Sequence, residues 1–159
     1  MRTRTLLMVV NVIAVMLVAF VLMAQTQEAF YGLWKVDLTK SKYSPGPAPK
    51  SNTKKYEPWQ DGFKATQDMV TGKGEKVHLE VVAKLDGKDY PAKGSPDADT
   101  FAFKKLDART YEVTQKKDGK VTIVAKMVVA PDGKSRSIVQ TGKNTKGEPV
   151  NNQIYWDRQ

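Results

Sequence analysis

The chain of 159 residues contains no cysteine. This excludes disulfides, thiolate chemistry and a lipid-modified N-terminal cysteine as an anchor. It also contains no Asn-x-Ser/Thr sequon. Histidine occurs once, at position 78, and no Ser-His-Asp or Cys-His spacing accompanies it. A catalytic triad and a histidine-built metal site therefore have no basis in the sequence. Arginine is scarce: beyond the first four residues it occurs only at 109, 136 and 158, against 21 lysines. Arg, not Lys, suits bidentate phosphate recognition, and the lysines are scattered, so no nucleic-acid platform is expected. No window carries a 3.6-residue apolar period, which excludes amphipathic helices from the folded part.

Long apolar runs are missing as well, with one exception. From Leu6 to Ala24 the only polar residue is Asn11, and Arg2 and Arg4 precede the run. This is the pattern of a secretory signal, with cleavage expected after Ala24. The run approaches the ~20 residues that span a bilayer, so the alternative is an uncleaved anchor over residues 6–24 in the inner membrane. The expected location is outside the cytoplasm, periplasmic or secreted. Residues 25–29 read as a short linker and residues 30–159 as one folded domain. Without residues 1–24, 45 of 135 residues are apolar or aromatic and the net charge falls from +9 to +7. So lean an apolar content predicts either a small core or a partly polar, hydrated interior. The excess lysine reads as solvated strand faces and edge protection, with a weak attraction to anionic envelope surfaces.

What remains is strand and turn. Phe30–Leu38 alternates with period two: Gly32, Trp34, Val36 and Leu38 share one face. Gly32 would let the Trp34 indole lie against bare backbone. Prolines at 45, 47 and 49 make an extended loop. Phe63, Ala65, Gln67 and Met69 form one strand face; Val77, Leu79, Val81 and Ala83 form another; Phe101 with Phe103, and Tyr111 with Val113 and Gln115, form two more. Asp-Gly-Lys triplets at 86, 118 and 132 mark turns, that at 118 being a type I′ hairpin signal. The last strand runs from Val150 to Asp157. The count of about eight to ten strands joined by short connections predicts an all-β, antiparallel up-and-down meander. Closing it into a barrel removes its edges.

Phe30-x-Gly32-x-Trp34-Lys35-Val36 at the start and Ile154-Tyr155-Trp156-Asp157-Arg158 at the end bracket this meander. The arrangement resembles the calycin superfamily of lipocalins and fatty-acid-binding proteins, and small exported bacterial proteins described only as lipocalin-like. The resemblance implies that Trp34 packs at the closed end of a barrel beneath a basic side chain, for which Arg158 is the candidate. Two departures stand out. The Pro-rich stretch cannot form the helical lid of fatty-acid-binding proteins, and their Arg-x-Tyr carboxylate contact is replaced here by Gln153 and Tyr155.

His78 lies on the polar side of its strand and reads as a solvated residue, as do Glu80 and Glu112. Asp97-x-Asp99 lacks the remaining ligands of a calcium loop and reads as turn chemistry. The lumen candidates are Phe63, Tyr90, Phe101, Phe103, Tyr111, Met127, Gln153 and Tyr155, with Tyr90, Tyr111, Gln153 and Tyr155 expected to make the polar contacts. The functional expectation is a non-enzymatic barrel, without metal or cofactor, that binds a small, mainly hydrophobic molecule in its lumen. The alternative is a filled barrel acting as a structural or interaction domain of the cell envelope through its lysine-rich surface.

Overall fold

In the computed structural model, which describes residues 28–159, every regular element is a β-strand. The expected signal segment lies outside the described residues. The strands are β1 (Gly32–Lys42), β2 (Ser51–Trp59), β3 (Gly62–Val70), β4 (Lys76–Ala83), β5 (Asp86–Lys93), β6 (Thr100–Lys105), β7 (Thr110–Lys117), β8 (Lys120–Val129), β9 (Ser135–Lys143) and β10 (Pro149–Arg158). Each pairs antiparallel with its chain neighbour, and β1 pairs with β10 to close a ten-stranded barrel. Closure leaves no free sheet edge, so every strand has two partners for its backbone N–H and C=O groups. The weakest seam is β4–β5, paired through Glu80↔Lys93 and Val81↔Ala92.

Period-two alternation sets the inside. Phe63 and Ala65 on β3, Leu79, Val81 and Ala83 on β4, Phe101 and Phe103 on β6, and Ala125, Met127 and Val129 on β8 are all buried. The type I′ turn at Asp118-Gly119 is formed, with φ of 49° and 72° at its two central residues. Asp132-Gly133 turns β8 into β9 as expected. Asp86-Gly87 does not turn the chain. It opens β5, where Asp86 pairs with Lys104 and the register then shifts. Asp86 Oδ1 accepts the Lys88 amide at 3.0 Å, so this Asp-Gly chemistry produces a bulge just after the bend at Leu85.

One end of the barrel is plugged by the chain leading into β1. Phe30 lies in a turn, not in the strand, and is wholly buried. Its ring meets Tyr56, Phe63 and Tyr111 edge-on at 5.0, 5.2 and 4.8 Å. Burying one such ring gives about 1.5–3 kcal/mol, and each well-placed aromatic pair adds about 0.5–1.5 kcal/mol. Trp34 Nε1 donates to the Phe30 carbonyl at 2.8 Å. Tyr111 donates its hydroxyl to Glu28 at 2.8 Å, and Lys105 pairs with the same carboxylate at 2.9 Å. Burial, reinforced by the Glu28 hydrogen bond, holds the Tyr111 phenol above its ordinary range.

Arg158 locks this plug. Its guanidinium lies 4.4 Å from the centroid of the Trp34 ring. Nε donates to Gly133 O at 2.6 Å, Nη2 to Ala29 O at 2.7 Å and Nη1 to Tyr31 O. Gly32 matters here for a reason the sequence did not suggest. The group pressed against its bare backbone is the Arg158 guanidinium, not the indole: a Cβ on Gly32 would sit 2.6 Å from Nη1. Its φ of +119° also disfavours any L side chain.

Candidate functional site: a cationic floor beneath the lumen

Above the plug the barrel is not filled. A cavity of about 350 Å³ runs from the level of Lys54, Ile138, Ile154 and Trp156 to the opposite rim. Four loops frame that rim: the Pro-rich β1–β2 loop through Pro45, Pro47 and Pro49, the β3–β4 loop through Thr71 and Gly72, the β5–β6 loop through Pro96 and Asp97, and the β9–β10 loop through Asn144 and Thr145. The walls are mixed, with Leu79, Phe101 and Ile123 beside Asn52, Gln67, Gln115 and Gln140. Below lies a recess of about 40 Å³ bordered by Lys54, Tyr56, Phe103 and Met127.

Cross-strand register stacks the inner face of β2, β9 and β10 in layers. Trp156 is opposite Arg136, Ile154 opposite Ile138, and Asn152 opposite Gln140. On β2 the inward set is Asn52, Lys54 and Tyr56, and Lys54 and Tyr56 are opposite Gln67 and Ala65 of β3. The top layer is polar, the middle sets Lys54 beside two isoleucines, and the bottom is aromatic with one guanidinium at its centre.

That guanidinium belongs to Arg136, which is 1% exposed. It lies 4.5 Å from the Trp34 ring centroid and 5.0 Å from those of Tyr56 and Trp156. Its Nη1 contacts Met127 Sδ at 3.2 Å, while Nε and Nη2 have no hydrogen-bond partner among the described residues. Burial brings its pKa down to about 10. Lys54 lies one layer higher, with Nζ 5.4 Å from the Trp156 ring centroid, and its remaining exposure is to the cavity it borders. Burial and the neighbouring Arg136 charge hold its ammonium below the ordinary range. Burial pushes the Tyr56 phenol up, but the Lys54 and Arg136 cations outweigh this and bring it below its ordinary value. No carboxylate lies within ion-pair distance of Lys54 or Arg136 among the described residues. Among the described residues Asp97 is the one carboxylate bordering the cavity, and it sits at the rim, where Thr145 donates to it at 3.4 Å. Tyr43 at the mouth carries a buried hydroxyl without a partner among the described residues, and burial pushes its pKa up to about 12.

The lumen candidates divide into four groups. Phe101, Phe103 and Met127 line the cavity or its recess. Phe63 and Tyr111 belong to the plug: both are buried, but they pack on Phe30 and border neither space. Tyr90 is half-buried and donates to Asp86 Oδ2 at 3.0 Å, away from the cavity. Gln153 and Tyr155 are corrected outright. Both are exposed, Tyr155 by 41%, because the inward parity of β10 is taken by Asn152, Ile154 and Trp156. Leu38 likewise lies outside the core, since the β1 register shifts after Asp37.

Outside the barrel, His78 is exposed and bonded to Asp68 at 2.7 Å, with Glu80 at 3.5 Å. Glu80 also pairs with Lys64 at 3.0 Å. Asp99 accepts from Lys117 Nζ and the Asp118 amide, both at 2.7 Å, and so braces the β7–β8 hairpin.

Sequence reasoning missed Asn52, Lys54, Tyr56 and Arg136. On β2 both parities are polar, so alternation could not choose a face. A signal for Arg136 was present: in a chain that otherwise uses lysine, it shares parity with Ile138. No family model matches the chain, and no curated protein matches it in sequence.

Proposed function

We propose that the protein is an exported, non-enzymatic carrier that takes a small, mainly apolar molecule into its barrel. The observation that carries this reading is the cavity of about 350 Å³, within the range of about 300–1,000 Å³ typical of small-molecule sites. Its Leu79, Phe101 and Ile123 walls supply burial, and Gln67, Gln115 and Gln140 supply a few orienting contacts. The apolar stretch 6–24 behind a basic start supports export.

A neutral fluorescent probe, N-phenyl-1-naphthylamine, tests the reading against wall-filling variants. Val77 borders the cavity, so Val77→Trp should reduce probe binding at least about tenfold, the effect expected when a pocket loses the contact area of one large side chain. Val139 points outward on β9, so Val139→Trp should leave binding within about twofold, as for a surface change. Equal binding by all three proteins would place the probe outside the barrel and remove the support for a lumenal carrier. Circular dichroism of each variant establishes that the barrel has formed.

A further inference from the structure

We infer that the lumen is built for an organic monoanion, an oxyanion group joined to an apolar body, held with its charged end toward Lys54. The inference rests on the carrier reading and names the ligand class for that same cavity.

Three observations lead to it. First, two cations occupy the floor, Lys54 bordering the cavity and Arg136 just beneath, and neither has a carboxylate within ion-pair distance among the described residues. Buried charges are ordinarily paired, because their desolvation is costly. The aromatic faces around Arg136 return only part of that cost. Secondly, the floor is rich in unused donors, while the unpartnered buried acceptor bordering the cavity, Asn52 Oδ1, lies in the layer nearer the rim. Arg136 Nε and Nη2 and Trp156 Nε1 are buried without partners, and Lys54 Nζ donates to nothing among the described residues. Thirdly, charge is arranged along the axis. The cations lie at the inner end, and the one bordering carboxylate, Asp97, lies at the rim. An anion entering the mouth therefore gains most at the bottom, where the low-dielectric wall strengthens the attraction.

The groups that meet an anionic ligand follow directly. Lys54 Nζ is the direct partner of the oxyanion. Tyr56 lies in the recess below it, and Arg136 adds its field from beneath the aromatic layer without touching the ligand. The apolar body lies against Leu79, Phe101 and Ile123 on the way to the rim. The oxyanion can be a carboxylate or a sulfate, since both present acceptor oxygens to an ammonium; the experiment separates them.

Decanoate, decyl sulfate and 1-decanol share one tail and differ in headgroup. They are titrated calorimetrically into the full chain, below their aggregation concentrations. Indole N–H resonances report location, since Trp156 borders the cavity and Trp59 is exposed outside. At least one anion should bind about tenfold or more tighter than 1-decanol, the worth of one charge-assisted hydrogen bond, and should shift Trp156 more than Trp59. A preference for decanoate over decyl sulfate identifies the carboxylate, and the reverse identifies the sulfate. Lys54→Met should abolish the preference while leaving 1-decanol binding within about threefold, since a volume-conserving exchange keeps the wall. Where Lys54→Met does not fold, Lys54→Gln serves, and the wild-type headgroup comparison stands without either variant. Equal affinity for decanol and both anions, or an anion preference that survives Lys54→Met, overturns the inference and leaves the carrier reading intact. Failure of all three probes to bind overturns both.

Discussion

Two arginines meet the same indole, and their surroundings give them opposite roles. Arg158 makes three backbone hydrogen bonds that tie the plug to β10 and the β8–β9 turn. Among the described residues Arg136 makes none to a backbone oxygen and has no carboxylate partner, and the Tyr56 phenol is the polar group that offsets its buried charge. Removing Arg158 strands buried acceptors, whereas removing Arg136 relieves a desolvated cation. Urea unfolding should therefore show Arg158→Met losing about 2–4 kcal/mol, from several charged hydrogen bonds at once. Arg136→Met should be within about 1 kcal/mol of wild type or more stable. A loss of more than about 2 kcal/mol for Arg136→Met would mean that the stacked rings compensate the charge fully.

Tyr56 gives a spectroscopic check on the same floor. The protein has six tyrosines. Tyr31, Tyr43, Tyr90 and Tyr111 are all shifted upward, chiefly by burial, while Lys54 and Arg136 draw Tyr56 downward. Ultraviolet titration should show a phenolate appearing below the ordinary value of 10.0, assigned to Tyr56 by its loss in Tyr56→Phe. In Lys54→Met that early step should move to higher pH. An unchanged step would mean that the Lys54 charge does not reach the phenol. His78 gives a second pH signature. Hydrogen bonds to Asp68 and then Glu80 raise its pKa above 6.5. Its contribution to stability is therefore fully present below pH 6.5 and is lost as pH rises through the higher folded value. Asp68→Asn should lower the His78 midpoint in a proton-NMR titration; no movement would show that the pair is not formed in solution.

At the scale of elements, glycines separate strain from crowding. Gly119 closes the β7–β8 hairpin at φ +72° with nothing within 4 Å of an added Cβ. Gly119→Ala should cost only the conformational penalty, about 1 kcal/mol. Gly32→Ala meets both an unfavourable φ and the Arg158 guanidinium, and should cost about 2–4 kcal/mol when strain and a displaced charged hydrogen bond combine. Equal losses in chemical denaturation would contradict the lock that Arg158 makes on the plug.

The strands legible in the sequence were those with one apolar and one polar face. β3, β4, β6 and β7 present inward the residues their alternation selects, and Asp118-Gly119 turns as its chemistry requires. The illegible parts have physical reasons. β2 and β9 enclose the cavity and its floor with polar side chains, Asn52, Lys54, Arg136 and Gln140, which alternation cannot tell from solvent-facing residues. In β10 the aromatic pair Tyr155-Trp156 occupies both parities, and only closure against β1 assigns Trp156 inward, opposite Val36. Phe30 falls before the strand because Gly32 bends the chain across the barrel end, a step that local pattern does not encode. The cavity floor was thus hidden for the same reason that it is useful: polar groups placed inside look like surface.

At the scale of the whole molecule, the barrel combines an aromatic plug locked by Arg158 with an interior left open above it. Exposed lysines cover the outside, and most ion pairs there, such as Lys55–Glu57 and Lys84–Asp61, are solvent-exposed and add little to stability. Stability should therefore depend weakly on salt. Raising ionic strength from about 0.05 to 0.5 M should move the unfolding free energy by less than about 1 kcal/mol. A larger loss would assign the surface a structural role that its exposed pairs do not suggest.

The central claim is that the barrel carries a small molecule in its lumen. Native mass spectrometry of the protein secreted by a bacterial host and purified without detergent tests it most directly. The protein should carry a discrete added mass that disappears on denaturation and is absent when Val77→Trp narrows the cavity. A bare mass that stays bare after exposure to a lipid extract would contradict it, and would describe a closed scaffold whose contacts lie on its lysine-rich exterior.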